Sequence, residues 1–475
     1  MRAWETFNRW VTVEPIAFLY FFNVCVTTTA WQALLYRKFC VQANNSLSNC
    51  LNIKWQQTQP QLQAQTSQWM IYSNTVTIVP MLFTITMLSG YSGRHGVRLA
   101  LFLPYVLGVI STGWVIVNIL FLHWHPILLL VSSFLTGVSG FYAVVTMATT
   151  AYVVHDSDPN DYAVRIAALQ AVVSIAYMVG SFVVGPILDS GVFGLASCFI
   201  MMVVCNVAGV LDIALRLRSC GYPPVKPKDS FCEAFCSLRS IREYVTVITR
   251  PRVDYRRLHI QLITIIFMFG FCAITGVMDI AYLYMTKTNG YSNTINSIWA
   301  GMTCIVTTLG NTVGMQIFTK KFNIGAHAIL ILGVASNALS YGAMIYFKHK
   351  ITIWLSLVLR PFISYISIGS YMYIAQCLDS DEQSAGLGYL AMVQALFALL
   401  ASIMFNGLYP VTLSFWPGFC FALAAGLCVL TGPIIIFIKW HDNRIMDSRI
   451  KSDSPFVHWI LIFYALYNST RLKVK

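Results

Sequence analysis

The hydrophobic positions of this chain come in long unbroken runs separated by short polar stretches. Twelve runs each approach or exceed the ~20 residues that a helix needs to cross ~30 Å of hydrocarbon. They fall at 12–35, 67–88, 99–122, 127–153, 163–187, 192–215, 260–284, 295–318, 326–347, 352–376, 386–409 and 414–438. A transmembrane barrel would instead alternate over ~10-residue segments. The pattern predicts an all-α membrane protein with twelve transmembrane helices.

The longest polar interruption, 216–259, divides the spans six and six. It contains GYPPVKPKD and ITRPRVDYRR, and its prolines and basic residues deny it a place in the bilayer. A surface helix is expected near 230–248. The organisation read from this is an N-terminal six-helix bundle (1–215), a basic linker (216–259), a C-terminal six-helix bundle (260–438) and a tail (439–475). In the tail, FVHWILIFYALY at 456–467 is too short to span and predicts an interfacial helix. Two six-helix halves joined by a linker match the layout of transporters built from parallel repeats.

Composition agrees with a membrane address. Only 10% of the 475 residues are charged, against roughly 25% in a soluble domain. The net charge of +13 raises the possibility of nucleic acid, but its distribution follows topology. Of the 31 Lys and Arg residues, 24 fall at the N-terminus, in the even-numbered loops, at the start of span five and in the tail. Positive residues mark the cytoplasmic side, so both termini are expected there. No cleavable signal peptide is expected after MRAWETFNRW. Thirteen cysteines are scattered along the chain. Cys40 and Cys50 share the first external loop and are either a disulfide or two free thiols. Asn44 between them begins a glycosylation sequon. Cys220, Cys232 and Cys236 in the linker lack the second ligand pair expected of a structural metal site. No cofactor, metal or nucleic-acid partner is expected.

Between spans two and three lies GYSGRHGVR, with Gly90, Gly93 and Gly96 three apart and with Arg94 and Arg98. A phosphate-binding glycine loop would need a soluble strand before it and a helix N-terminus after it. Here both flanks are membrane spans, so the stretch is read as a turn. Its pattern and position resemble the signature loop of the major facilitator superfamily. Further stretches make the chain similar to the proton-coupled folate transporter family: VEPIAFLYF (13–21), QTSQWMIYSN (65–74), RIAALQA (165–171), GVMDIAYLY (276–284), and DEQSAGLGYL with FNGLYPVTLSFWPGFCFALAAGL (381–427). The resemblance covers residues 11–438 and implies the major facilitator fold. It also implies a secondary active transporter of an organic anion, folate-like, muropeptide-like or cyclic-dinucleotide-like, working by alternating access with protons as candidate coupling ion. The membrane would be the plasma membrane or an endolysosomal one. A non-transporting receptor or scaffold on a transporter fold is the alternative. No HExxH, paired catalytic carboxylates or suitably placed GxSxG suggests an enzyme.

The chain departs from the family at informative positions. Gly90 stands where the turn usually has an aspartate, Gln170 replaces a glutamate, and Ile274 replaces a histidine. Arg360 comes directly before Pro361, whereas the family's arginine follows the proline. These losses weaken the expectation of folate as cargo and of the family's proton-coupling scheme.

Ionisable groups inside spans are costly and are functional candidates by default. Asp279 in span seven is a candidate titratable acid, or an acid satisfied by water at the external mouth. Arg360 in span ten suits a carboxylate or phosphate on cargo, or an internal partner. Glu14 is a weaker candidate at the start of span one. Gln170 and Asn406 could bind cargo or bond a neighbouring helix. Tyr142, Tyr177, Tyr282 and Tyr365 could stack on a planar ligand or simply pack. At the cytoplasmic mouth, Gly90, Gly93, Arg94, Arg98 and Arg165 are candidate gate residues. Asp381 and Glu382 across the mouth are expected partners for Arg94 or Arg98.

Overall fold

The computed structural model describes residues 12–452 apart from 44, 157–161, 192, 218–238, 253–254, 323, 346–349 and 379–382. Among the described residues every regular element is helical. Helix α1 (Glu14–Gln42) carries Pro15 in its first turn, where its missing N–H is no loss. Two short helices, α2 (Leu47–Leu51) and α3 (Ile53–Gln57), follow it. A disulfide joins Cys40 to Cys50. Closing so short a loop contributes roughly 2–3 kcal/mol in the chain-entropy account. This side of the molecule is called the disulfide end below, and the opposite side the linker end.

Helix α4 (Pro60–His95) runs through Gly90 and Gly93, and α5 begins at Arg98 (Arg98–Leu120). The expected turn at GYSGRHGVR is therefore shorter than the glycine spacing suggested. Only Gly96 has positive φ, +89°, and it reverses the chain. Helices α6 (Leu129–Val138) and α7 (Phe141–Asp156) form one crossing with a bend at Gly140 and Phe141, both at positive φ. Then come α8 (Tyr162–Asp189), α9 (Gly194–Leu215) and α10 (Arg239–Thr249). Helix α10 lies inside the linker, close to the expected surface helix, and packs against α4 and α16 (Gln383–Thr412).

The remaining helices are α11 (Arg256–Asn289), α12 (Asn293–Leu309), α13 (Ala326–Ile345), α14 (Lys350–Val358), α15 (Tyr365–Cys377) and α17 (Phe419–Ser452). Helix α17 continues well past the expected span end at 438. Among the described residues, ten helical segments are long and apolar enough to cross a membrane. The other two expected crossings, 295–318 and 352–376, are interrupted. The first passes from α12 into π-helical turns at Gly310–Gly314 and Ile317–Lys321. The second breaks between α14 and α15.

Buried apolar side chains form two separate cores, one from Val13 to Leu217 and one from Val247 to Ile438. The cores meet mainly along α8 with α12 and along α4 with α16. Close approach on the first pair needs Gly185. A β-carbon there would sit 2.4 Å from Ser297 Oγ and 2.5 Å from the Asn293 carbonyl oxygen.

Candidate functional site

The break around Arg360 is built, not accidental. Pro361 cannot donate a backbone hydrogen bond and is incompatible with a regular helix interior. In hydrocarbon the freed backbone groups need partners. Helix α13 supplies them. Ser336 donates to the Leu359 carbonyl (2.6 Å) and accepts from the Phe362 N–H (3.3 Å). Asn337 donates to the Ile363 carbonyl (2.9 Å). The π-turn residue Gly310 lets the broken segment approach α12. A β-carbon there would lie 1.9 Å from the Pro361 carbonyl oxygen. Tyr365 donates to the Gly310 carbonyl (2.7 Å), which satisfies one acceptor of the irregular turn.

This construction holds Arg360 in the second core, only 3% exposed. Its guanidinium carbon lies 4.9 Å from the Trp299 ring centroid and 5.8 Å from that of Tyr341. Nε and Nη1 of Arg360, the Trp299 indole N–H and the Tyr341 hydroxyl are all buried without a hydrogen-bond partner among the described residues. Buried donors are usually paired. Here three neighbouring side chains present donors with no acceptor, which is an environment complementary to an anion.

Toward the disulfide end, Asp279 joins helices of both cores. Asn74 of α4 donates to its Oδ2 at 3.1 Å, and Asn406 of α16 donates to the same oxygen at 2.9 Å. Both amides also donate to Ser402 Oγ, at 2.7 and 3.2 Å. Ser67 donates to Asn406 Oδ1 at 3.1 Å. Gln32 of α1 donates to the Asp279 backbone carbonyl at 3.0 Å. Asp279 is thus neither lipid-facing nor isolated at a mouth. A second cross-core link lies nearby. Asp189, the last residue of α8, accepts from Asn293 Nδ2 (2.7 Å) and from the backbone N–H and hydroxyl of Thr294 (2.8 and 2.6 Å). An acid from the first core thereby caps the N-terminus of a helix in the second.

Other expected residues fall elsewhere. Glu14 is a local cap, accepting from the Thr12 N–H at 2.7 Å. Tyr282 donates to Asn293 Oδ1, so its hydroxyl belongs to the α11–α12 contact. Tyr365 is fully buried and packs the break. Tyr142 directly follows the positive-φ Phe141 and stands edge-to-face with it at 5.1 Å. Tyr177 packs on Phe21 at 5.7 Å. Gln170 is exposed on α8, and Arg98 is exposed at the start of α5. Arg165 is buried and donates to Thr12 Oγ1 at 3.3 Å. The surroundings of Gly90 and Gly93 and the side chain of Arg94, with residues Asn44, Asp381 and Glu382, lie outside the described set, as do Cys220, Cys232, Cys236 and 456–467.

Sequence reasoning missed a polar cluster in the second core. His259 of α11 has its Nε2 2.9 Å from His441 Nδ1, and its Nδ1 3.0 Å from the Tyr373 hydroxyl and 3.2 Å from Asp442 Oδ1. His327 Nε2 lies 3.0 Å from Asp442 Oδ2, and Tyr373 donates to that oxygen at 2.6 Å. His259, His327 and Tyr373 sit near helix ends, and His441 and Asp442 lie just past the span end expected at 438, where polar side chains are ordinary, so nothing along the chain signalled convergence. Among the described residues no group of His, Cys, Asp and Glu has a geometry suited to a metal ion.

A long polytopic helical chain with two cores and a broken helix holding a buried cation is the architecture of a membrane transporter. The family comparison agrees: residues 16–402 match the Major Facilitator Superfamily, and the chain belongs to that family. It is 24% identical over 469 residues to the proton-coupled folate transporter of Bos taurus, covering 96% of this chain and 98% of that one. It is 22% identical to the lysosomal proton-coupled steroid conjugate and bile acid symporter SLC46A3 of Rattus norvegicus, covering 94% and 98%. In fold it resembles the peptide transporter POT crystallised with sulfate, at TM-score 0.66 and 12% identity, covering 90% and 93%. The protein is an integral membrane protein whose family and fold are those of transporters, not enzymes.

Proposed function

We propose that this protein is a secondary active transporter of an organic anion, and that Arg360 is the residue that receives the anionic group. The observation that carries this reading is the acceptor-free set of donors at Arg360, Trp299 and Tyr341. Burying an arginine in a helix centre costs roughly 2.5–3.5 kcal/mol on insertion scales. A carboxylate or phosphate would offset that cost, and the two ring faces would flank a planar cargo. The relatives are named for folate and for steroid conjugates and bile acids, which is consistent with an anionic cargo. Bundles 1–215 and 260–438 would rock about this point, with 216–259 as their cytoplasmic tether. The cross-core hydrogen bonds of Asp279 and Asp189 would close the external side in the state described above. Asp279 is the candidate proton-responsive group, because Gln170 and Ile274 cannot titrate.

The test is uptake of labelled folate, a steroid conjugate, a muropeptide and a cyclic dinucleotide at pH 5.5 and 7.4. Cells would express wild type, Arg360→Gln or Arg360→Lys at matched surface level. Uptake of at least one anion, lost about tenfold or more in Arg360→Gln and only partly restored by Lys, is expected from the loss of a charge-assisted fork. Equal uptake by wild type and Arg360→Gln would overturn the assignment.

A further inference from the structure

A second donor-rich place lies apart from Arg360, in a cavity of about 80 Å³ at the disulfide end. Its wall combines both cores: Tyr36 and Arg37 from α1, Gln63 from α4, Asp189 from α8, and Tyr282 and Asn293 from α11 and α12. Arg37 is 6% exposed and spends one nitrogen, Nη2, on the Leu188 carbonyl at 3.1 Å. Its Nε and Nη1 have no acceptor among the described residues. The Tyr36 hydroxyl is buried with no hydrogen-bond partner among the described residues. Gln63 is 1% exposed, and only its Oε1 is engaged, accepting from Tyr409 at 3.5 Å.

The Asp189 carboxylate and the Asn293 amide oxygen in the same wall already hold donors. Both oxygens of Asp189 take donors from Asn293 and Thr294, and Asn293 Oδ1 takes the Tyr282 hydroxyl. The free donors are therefore a guanidinium edge, a hydroxyl and an amide; the Gln56 side chain, which donates to the Cys50 carbonyl at 2.7 Å, also lines the cavity. Water could bridge some of these, but a buried cation beside a satisfied carboxylate favours a negative occupant. The volume admits a few water-sized groups, not a drug-sized organic anion.

We propose that this cavity is a binding site for one small anion, chloride or a short carboxylate such as formate, separate from the cargo site. Both cores supply its wall. The site is complete only when the disulfide end is closed, so occupancy favours that closed state. A free small anion and the carboxylate of a passing cargo share this chemistry, and the experiment separates them.

The full chain in lipid nanodiscs would be melted in gluconate, chloride and formate at fixed ionic strength, with no cargo present. Chloride or formate at 100 mM should raise Tm by about 1–3 °C over gluconate, as ligand linkage requires. Arg37→Gln should abolish the rise. Tyr36→Phe, which removes one hydroxyl and keeps the ring, should reduce it and guards against misfolding of the arginine variant. Arg360→Gln should keep it. No anion-specific rise in wild type, or a full rise in folded Arg37→Gln and Tyr36→Phe, overturns the site. A rise lost in Arg360→Gln alone would assign the effect to the cargo site and overturn it equally. None of these outcomes depends on which cargo is carried.

Discussion

At the residue scale, three polar groups inside apolar segments of the sequence differ in their surroundings. Nε and Nη1 of Arg360 have no hydrogen-bond partner among the described residues, whereas Asp279 has several and Asn406 is fully buried among them. An interhelical hydrogen bond in a membrane is worth about 0.6 kcal/mol on average. Single losses such as Asn74→Leu should therefore change cross-core stability modestly, by ~0.5–2 kcal/mol. Asp279→Asn should leave protein abundance intact and flatten the pH profile of transport. The measurement is initial uptake rate between pH 5.5 and 7.4, and an unchanged profile would remove Asp279 from coupling. In the histidine cluster, Asp442→Asn would weaken the pairing with His259 and His327. A drop in melting temperature in detergent is expected, since leaving buried polar groups poorly paired costs ~1–3 kcal/mol. Asp279, Arg360 and Asn406 were legible in the sequence because a polar letter stands out in an apolar run. Asn74, Trp299 and Tyr341 were not singled out, because their roles come from neighbours far away along the chain.

At the element scale, the helices were legible and their interruptions were not. Twenty apolar residues announce a crossing whatever packs beside it. The break at Arg360–Pro361 depends on Ser336, Asn337 and Gly310, which lie 23 to 51 positions away from the backbone groups they meet. Gly310→Ala should disrupt the α12 contact with the broken segment and reduce cargo affinity more than expression. Equilibrium binding beside surface abundance would check this, and a parallel fall in both would indicate a folding role alone. The contact between α8 and α12 is equally exacting. Gly185→Val would place methyl groups where Ser297 and Asn293 now sit, so the disulfide end should no longer close. Cysteines introduced at Asp189 and Thr294 should cross-link readily in the wild-type background and poorly with Gly185→Val. Equal cross-linking would show that the glycine is not needed for closure.

At the scale of the whole molecule, the buried apolar side chains gather into one core from Val13 to Leu217 and another from Val247 to Ile438. The described cross-core hydrogen bonds gather between mid-membrane and the disulfide end, at Asp279 and Asp189. Under the alternating-access reading proposed above, that distribution is expected of one of two states, and the charge asymmetry of the sequence predicts that this end is external. The central claim is narrower: an organic anion binds at Arg360. Its most direct test is equilibrium binding of the labelled anion that wild type takes up, to purified wild-type and Arg360→Lys protein in nanodiscs. Lysine keeps the charge and loses the planar fork. The account predicts a Kd raised roughly tenfold, matching about 1.4 kcal/mol. Equal Kd values for the two proteins would contradict it.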